Sequence, residues 1–128
     1  MAPPVAIVPV KSLDGAKSRL SGALDPSARH ALVLDLLGRV VRAARGAGLE
    51  VCVVSPDPAV HAAARRLGAS VLDDGGRDLT GAVAHALAPH AAAEAVVVLP
   101  ADLPDVTPDD VRALLAAAQP LAVAPAPD

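Results

Sequence analysis

The sequence predicts an α/β fold, a mostly parallel sheet with helices on both faces, and three observations carry that prediction. Short apolar runs alternate with longer helical patterns, in the order βαβαβαβαβ along 128 residues. The apolar runs are continuous, as in strands buried on both faces, with no alternation of polar residues. Three helices are announced by a capping residue and then proline, at Asp25-Pro26, Asp57-Pro58 and Thr107-Pro108.

Taken in order, Val5–Val10 reads as the first strand, followed by a loop that reaches Leu20. Asp25-Pro26 opens a helix to about Arg45, with Leu32, Leu36, Val40 and Ala44 on one stripe. Asp35 and Arg39 stand i,i+4 on the other side, and Gly46 and Gly48 stop the helix. Glu50–Val54 is a second strand, and Asp57-Pro58 starts a helix that reaches Leu67 and ends at Gly68. Ser70–Leu72 is a short third strand, closed by the turn Asp73-Asp74-Gly75-Gly76. Leu79–Ala93 is helical in pattern, with a weak point at Pro89. Ala95–Leu99 is the fourth strand and the most apolar and most buried of the set. Thr107-Pro108 opens a last helix to about Ala118, with Asp110 in the capping-box position, and Leu121–Ala124 is a fifth strand.

Composition narrows the function classes. Phe, Tyr and Trp are absent, so the core must be built from Val, Leu, Ile and Ala, and no base is held by aromatic stacking. A formal net charge of −3 argues against nucleic acid, which needs a broad basic face. Cys52, the single cysteine, lies in an apolar run and has no internal disulfide partner, which suits a reducing, cytoplasmic setting. Neither a signal peptide nor a membrane-spanning stretch is read, and the length fits one domain, 1–128.

Against that acidic balance, Lys11, Lys17 and Arg19 fall within nine residues, directly after the first strand. The carboxyl end of a strand is where α/β sheets bind ligands, so this basic loop suits a polyanion such as a nucleoside triphosphate. It is neither a Walker A loop nor a dinucleotide fingerprint, since Gly15 stands alone and Lys17-Ser18 follows alanine. Gly15 offers close backbone approach, and ordinary solvated lysines remain the rival reading. Asp102, in the stiff turn Pro100-Ala101-Asp102-Leu103-Pro104 after the fourth strand, suits Mg2+, a hard cation that takes one or two carboxylates plus phosphate oxygens. The alternative is that it only caps a turn. Asp128, at the same sheet edge, is a second metal candidate. His30, His61, His85 and His90 lack metal-ligand spacing, and Ser21 and Ser55 lack a triad arrangement. Nucleotidyl transfer onto a phosphate needs no general base, because the attacking oxygen is already anionic; cations and a metal suffice.

Ile7-Val8-Pro9-Val10-Lys11, Ala16-Lys17-Ser18-Arg19-Leu20 and Leu99-Pro100-Ala101-Asp102-Leu103-Pro104 together resemble the 2-phospho-L-lactate/phosphoenolpyruvate guanylyltransferase family of coenzyme F-420 biosynthesis. That family is part of the molybdenum-cofactor guanylyltransferase type of nucleotidyltransferase, and the resemblance runs from Val5 to Asp128. It implies a Rossmann-like, GT-A-like three-layer sandwich. It also implies GTP and phosphoenolpyruvate or 2-phospho-L-lactate as substrates, with release of pyrophosphate and Mg2+ as cofactor. Lys11, Lys17 and Arg19 would grip the triphosphate with Gly15 and Ser18, while Asp102 and Asp128 would hold the metal. Ser55 and the Asp73–Gly76 turn, with Asp73 and Gly75, are guanine-reading candidates from their place at the sheet edge alone.

The chain departs from the family pattern in carrying Leu79-Thr80 where members have Leu-Asn. Members also continue beyond the position of Asp128 into a Gly-Gly-Thr-Asn-like segment. The expectation is therefore a C-terminally truncated fold that keeps the GTP portion. An uncovered sheet edge would then favour association, a homodimer being the simplest form. Two rival readings stay open: a non-catalytic nucleotide-binding remnant, and another nucleotidyltransferase such as a molybdenum-cofactor guanylyltransferase. The Ala-, Arg-, Pro- and Gly-rich composition favours phosphoenolpyruvate, the acid of actinobacterial members.

Overall fold

A computed structural model describes residues 3–11, 25–90, 93, 95–103, 105–117 and 121–123. The elements are β1 (Val5–Pro9), α1 (Pro26–Gly46), β2 (Glu50–Val54), α2 (Pro58–Arg66), β3 (Ser70–Leu72), α3 (Leu79–Leu87), β4 (Val96–Val98), α4 (Pro108–Ala117) and β5 (Leu121–Val123). The strands form one sheet in the order β3-β2-β1-β4-β5, and every pairing is parallel. Val5 lies opposite Glu50 on one side and Val96 on the other, so β1 is the central strand. Centrality also makes β1, and not β4, the most buried strand: Val5, Ala6, Ile7 and Val8 are all buried, whereas Val96 is only half-buried.

Alternate residues of β1 feed two cores. Ala6, Val8 and Val10 pack with Val33, Leu37, Val40 and Val41 of α1, Val60 of α2 and Val111 of α4. Val5 and Ile7 pack with Ala82 and Ala86 of α3 on the other face. The chain thus steps from β1 to β2 and β3 with α1 and α2 on one face, then returns past β1 to β4 with α3 on the opposite face. This reversal puts the topological switch point between β1 and β4. The step from β4 to β5 runs in the same direction as that from β3 to β4, yet α4 lies on the face of α1. The β4–α4–β5 crossover therefore has the opposite hand to β1–α1–β2, a departure from the usual rule. Contacts with α1 hold α4 there: Val111 is buried beside it, Pro108 packs against Gly46, and Arg112 Nη2 donates to the Gly46 carbonyl at 3.0 Å.

Local chemistry explains the helix ends. Asp25 caps α1 by accepting from the Ala28 amide at 2.7 Å, and Asp57 caps α2 through the Ala59 amide at 2.9 Å. The capping box of α4 is reciprocal: Thr107 Oγ1 accepts from the Asp110 amide, and Asp110 Oδ2 from the Thr107 amide. The Asp35–Arg39 pair closes at 3.0 Å on the exposed side of α1. The segment from Leu79 to Ala93 is not one helix: α3 stops at Leu87 and a single 3-10 turn, Ala88–His90, follows. Pro89 is the reason, since it has no amide to donate and its ring clashes with the carbonyl four residues back.

Both α1 and α2 end in a Schellman motif. Gly48 and Gly68 adopt φ of +92° and +84°, and Leu49 and Ala69 donate to the Ala44 and Ala64 carbonyls. At Gly68 a β-carbon would also strike the guanidinium of Arg45, which donates to the Leu67 carbonyl at 2.8 Å. Gly68→Ala should therefore cost about 1–2 kcal/mol, the penalty for a left-handed alanine, as read from a shift in the urea midpoint at constant slope.

Cys52 is buried between β1 and β3, and burial pushes its thiol above the ordinary range, with a Ser70 hydrogen bond pulling the other way. The folded state thus keeps a proton that the unfolded chain gives up in mild alkali. Its contribution is intact below the unfolded value near 9.0 and is lost as pH rises past it. Unfolding free energy followed from pH 7 to 10 should fall more steeply for the wild type than for Cys52→Ala; equal slopes would contradict this.

Candidate active site at the β1/β4 switch point

The site follows from where the strands end. β1 and β4 are neighbours with Ile7 opposite Val98, and Leu99 donates to the Ile7 carbonyl at 2.9 Å. Val10–Lys11 and Ala101–Asp102 therefore leave the same edge of the sheet side by side. Lys11 is exposed there, and Asp102 is half-buried in a turn. Its neighbours Ala101 and Leu103 pack against the core, which anchors the turn. A cation and a carboxylate are so placed at the crevice where ligands of open α/β sheets bind. Lys17, Arg19, Gly15, Ser18 and Asp128 lie outside the described residues.

The donor set fits magnesium in kind. Among the described residues no three His, Cys, Asp or Glu side chains gather into a closed metal site. A single hard oxygen donor such as Asp102 is nevertheless what Mg2+ uses where substrate phosphates complete its shell.

Beside this pair, the loop after β2 is tightly braced. Ser55 is fully buried; its amide donates to the Leu72 carbonyl at 2.9 Å, and its Oγ accepts from the Asp57 amide at 3.2 Å. His61 Nε2 stands 2.6 Å from the Ser55 carbonyl, so that nitrogen carries the proton and donates. These bonds tie the end of β2 to the start of α2 and give Ser55 a structural task. The turn after β3 is built by side chains: Asp73 Oδ1 accepts from the Gly75 amide at 2.8 Å and Asp74 Oδ1 from the Gly76 amide at 2.9 Å. Asp73 and Gly75 are exposed at the same edge of the sheet, but on its outermost strand. β2 separates them from β1, so they flank the Lys11–Asp102 pair at a distance of two strands.

One residue at this edge went unremarked in the sequence. Arg29 lies in the opening turns of α1, four residues before Val33 on the stripe that faces the core. The signal was available, since an arginine extends an apolar i,i+4 series, but without the fold nothing says where that series leads.

Comparison with known proteins agrees with this architecture. A Desulfovibrio desulfuricans G20 protein, described as a candidate nucleotide-diphospho-sugar transferase, shares the fold with a TM-score of 0.72 and 17% identity, over 91% of this chain and 54% of its own. A CMP:2-keto-3-deoxy-manno-octonic acid synthetase, solved with CTP, matches with a TM-score of 0.65 and 25% identity over 91% and 47%. The fold is thus that of Rossmann-like nucleotidyltransferases. A phosphoenolpyruvate guanylyltransferase of Rubrobacter xylanophilus is 54% identical over 86% of this chain and 55% of its own length. One from Chloroflexus aggregans is 40% identical over 94% and 64%. The chain spans a little over half to under two thirds of these relatives. No described helix is long and apolar enough to cross a membrane. The model of the family "Guanylyl transferase CofC like" matches residues 4–128, and the chain belongs to that family.

Proposed function

We propose that this chain carries the nucleotide-binding portion of a guanylyltransferase that moves GMP from GTP onto phosphoenolpyruvate, with 2-phospho-L-lactate as the alternative acid, in coenzyme F-420 biosynthesis. The observation that carries the reading is the emergence of Lys11 and Asp102 side by side at the β1/β4 switch point. The names of the Rubrobacter and Chloroflexus relatives support phosphoenolpyruvate as the acid.

In this reaction a phosphate oxygen of the acid attacks the α-phosphorus of GTP. A new P–O bond forms, the bond to the β-phosphate breaks, and pyrophosphate leaves with the electron pair. No proton has to move, because the nucleophile is already an anion. The protein must instead bring several negative charges together and hold the reacting oxygens in line. Lys11, with Lys17 and Arg19 of the following loop, offsets triphosphate charge, and Asp102 is the residue that would hold Mg2+. Bound there, Mg2+ supplies Lewis-acid neutralisation of phosphate oxygens. The anchoring of Ala101 and Leu103 in the core fixes the Asp102 carboxylate relative to β1.

The test is pyrophosphate release from GTP and magnesium by the full-length protein, with phosphoenolpyruvate, 2-phospho-L-lactate and molybdopterin offered in parallel. Release with phosphoenolpyruvate is expected. Release with molybdopterin alone would transfer the assignment to molybdenum-cofactor chemistry. GTP binding without release from any acid would favour a non-catalytic nucleotide-binding unit.

A further inference from the structure

Arg29 is half-buried, and among the described residues its buried Nε has no hydrogen-bond partner. An unpaired buried guanidinium N–H is costly, because it has given up water without gaining an acceptor. Native proteins leave few such groups unpaired, and a bound ion is one of the things that completes them. Position says what that is. α1 runs from the carboxyl edge of the sheet, where β1 ends, back to the edge where β2 begins. Its inward stripe passes through Val33, Leu37, Val40 and Ala44, and Val33 is packed in the same core as Val10. One turn earlier the stripe runs past the core, at the level where Val10 and Lys11 leave the sheet, and there the residue is Arg29. Where the stripe reaches the switch point it carries an arginine and not an apolar residue.

We propose that Arg29 is a binding residue of the site, its guanidinium gripping a phosphate-type oxyanion between α1 and the end of β1. The planar fork matches such an oxyanion in two bonds at once, one of them from Nε. Two anions of the proposed reaction share this chemistry, the triphosphate of GTP and the phosphate of phosphoenolpyruvate. The inference rests on the guanylyltransferase reading for its choice of ligands, but not for the binding itself.

Calorimetric titration of the wild-type chain, Arg29→Gln and Arg29→Lys with tripolyphosphate, GTP, ATP and phosphoenolpyruvate tests it. Each variant's thermal midpoint is measured first, and it should not fall below the wild-type value, because an unpaired buried group is removed and no side-chain bond is lost among the described residues. Arg29→Gln should weaken tripolyphosphate at least tenfold, the size of one charge-assisted bond. Arg29→Lys, which keeps the charge but lacks the fork, should recover only part of that. Loss for GTP with phosphoenolpyruvate unchanged assigns Arg29 to the triphosphate; the converse assigns it to the acid. Equal affinity of wild type and Arg29→Gln for all four ligands, or no tripolyphosphate binding by the wild type, would overturn the proposal. Arg29-dependent tripolyphosphate binding with no preference for GTP over ATP would instead sink the guanylyltransferase reading and leave Arg29 in place.

Discussion

Asp102→Asn should reduce pyrophosphate release by a factor on the order of 10³ or more, while GTP still binds. The substitution keeps size and shape but removes the charge that would draw Mg2+ to the site. A group acting on charge that develops during reaction is worth roughly 10²–10³ in rate, and loss of the metal position adds to that. Binding should fall much less, because on the proposed reading Lys11 and the basic loop, and not Asp102, would offset most of the triphosphate charge. Raising magnesium should restore part of the rate if the variant only weakens the metal. The turn stays anchored by Ala101 and Leu103 in the core, so the fold should survive. Turnover equal to wild type would remove the metal role from Asp102.

The second large effect concerns stability. Leu37→Ala should cost about 3–5 kcal/mol, a large part of the roughly 5–15 kcal/mol that holds a domain of this kind together. Leu37 is 0% exposed and sits in the core shared by α1, the sheet and α4. Its neighbours in that core include Ala6, Val40, Val41, Val53 and Val111, short or β-branched side chains that cannot swing into a vacated space. With no aromatic residue anywhere in the chain, only aliphatic side chains are at hand to collapse on the hole. Leu37→Met, which nearly conserves volume, should cost less than about 1.5 kcal/mol. Urea unfolding of the two variants checks the pair, and a loss under 1 kcal/mol for alanine would show that the core repacks freely.

The helices and strands were largely legible in the sequence because their signals are local. Asp25, Asp57 and Thr107 each cap the helix beginning at the next residue, and a side chain bonding to an amide two or three positions on does not depend on distant packing. Pro89 was read as a weak point and proved to be a stop for the same reason. Of the candidate site, the sequence supplied Lys11 and Asp102 as residues following strands. It did not supply their adjacency, because Lys11 and Asp102 are far apart in the chain and meet only through the pairing of β1 with β4.

Strand order was likewise out of reach. Five apolar runs of similar composition do not say which is central, and the most apolar, Ala95–Leu99, proved less buried than β1. Burial depends on position in the sheet, and β1 has a strand on each side and a packed core on each face. The placement of α4 beside α1, against the usual hand, was also decided by contacts at Pro108, Val111 and Arg112 that no local pattern announces. Arg29 shows the same division: its place on the stripe is sequence, but its unpaired Nε is tertiary structure. The sequence by itself determined the parallel α/β class, where the helices begin and the residue types at strand ends, because capping and periodicity act within a few residues. Only the tertiary structure decided which strand ends meet and that Arg29 Nε is buried without a partner among the described residues, because pairing and burial join residues that lie far apart along the chain.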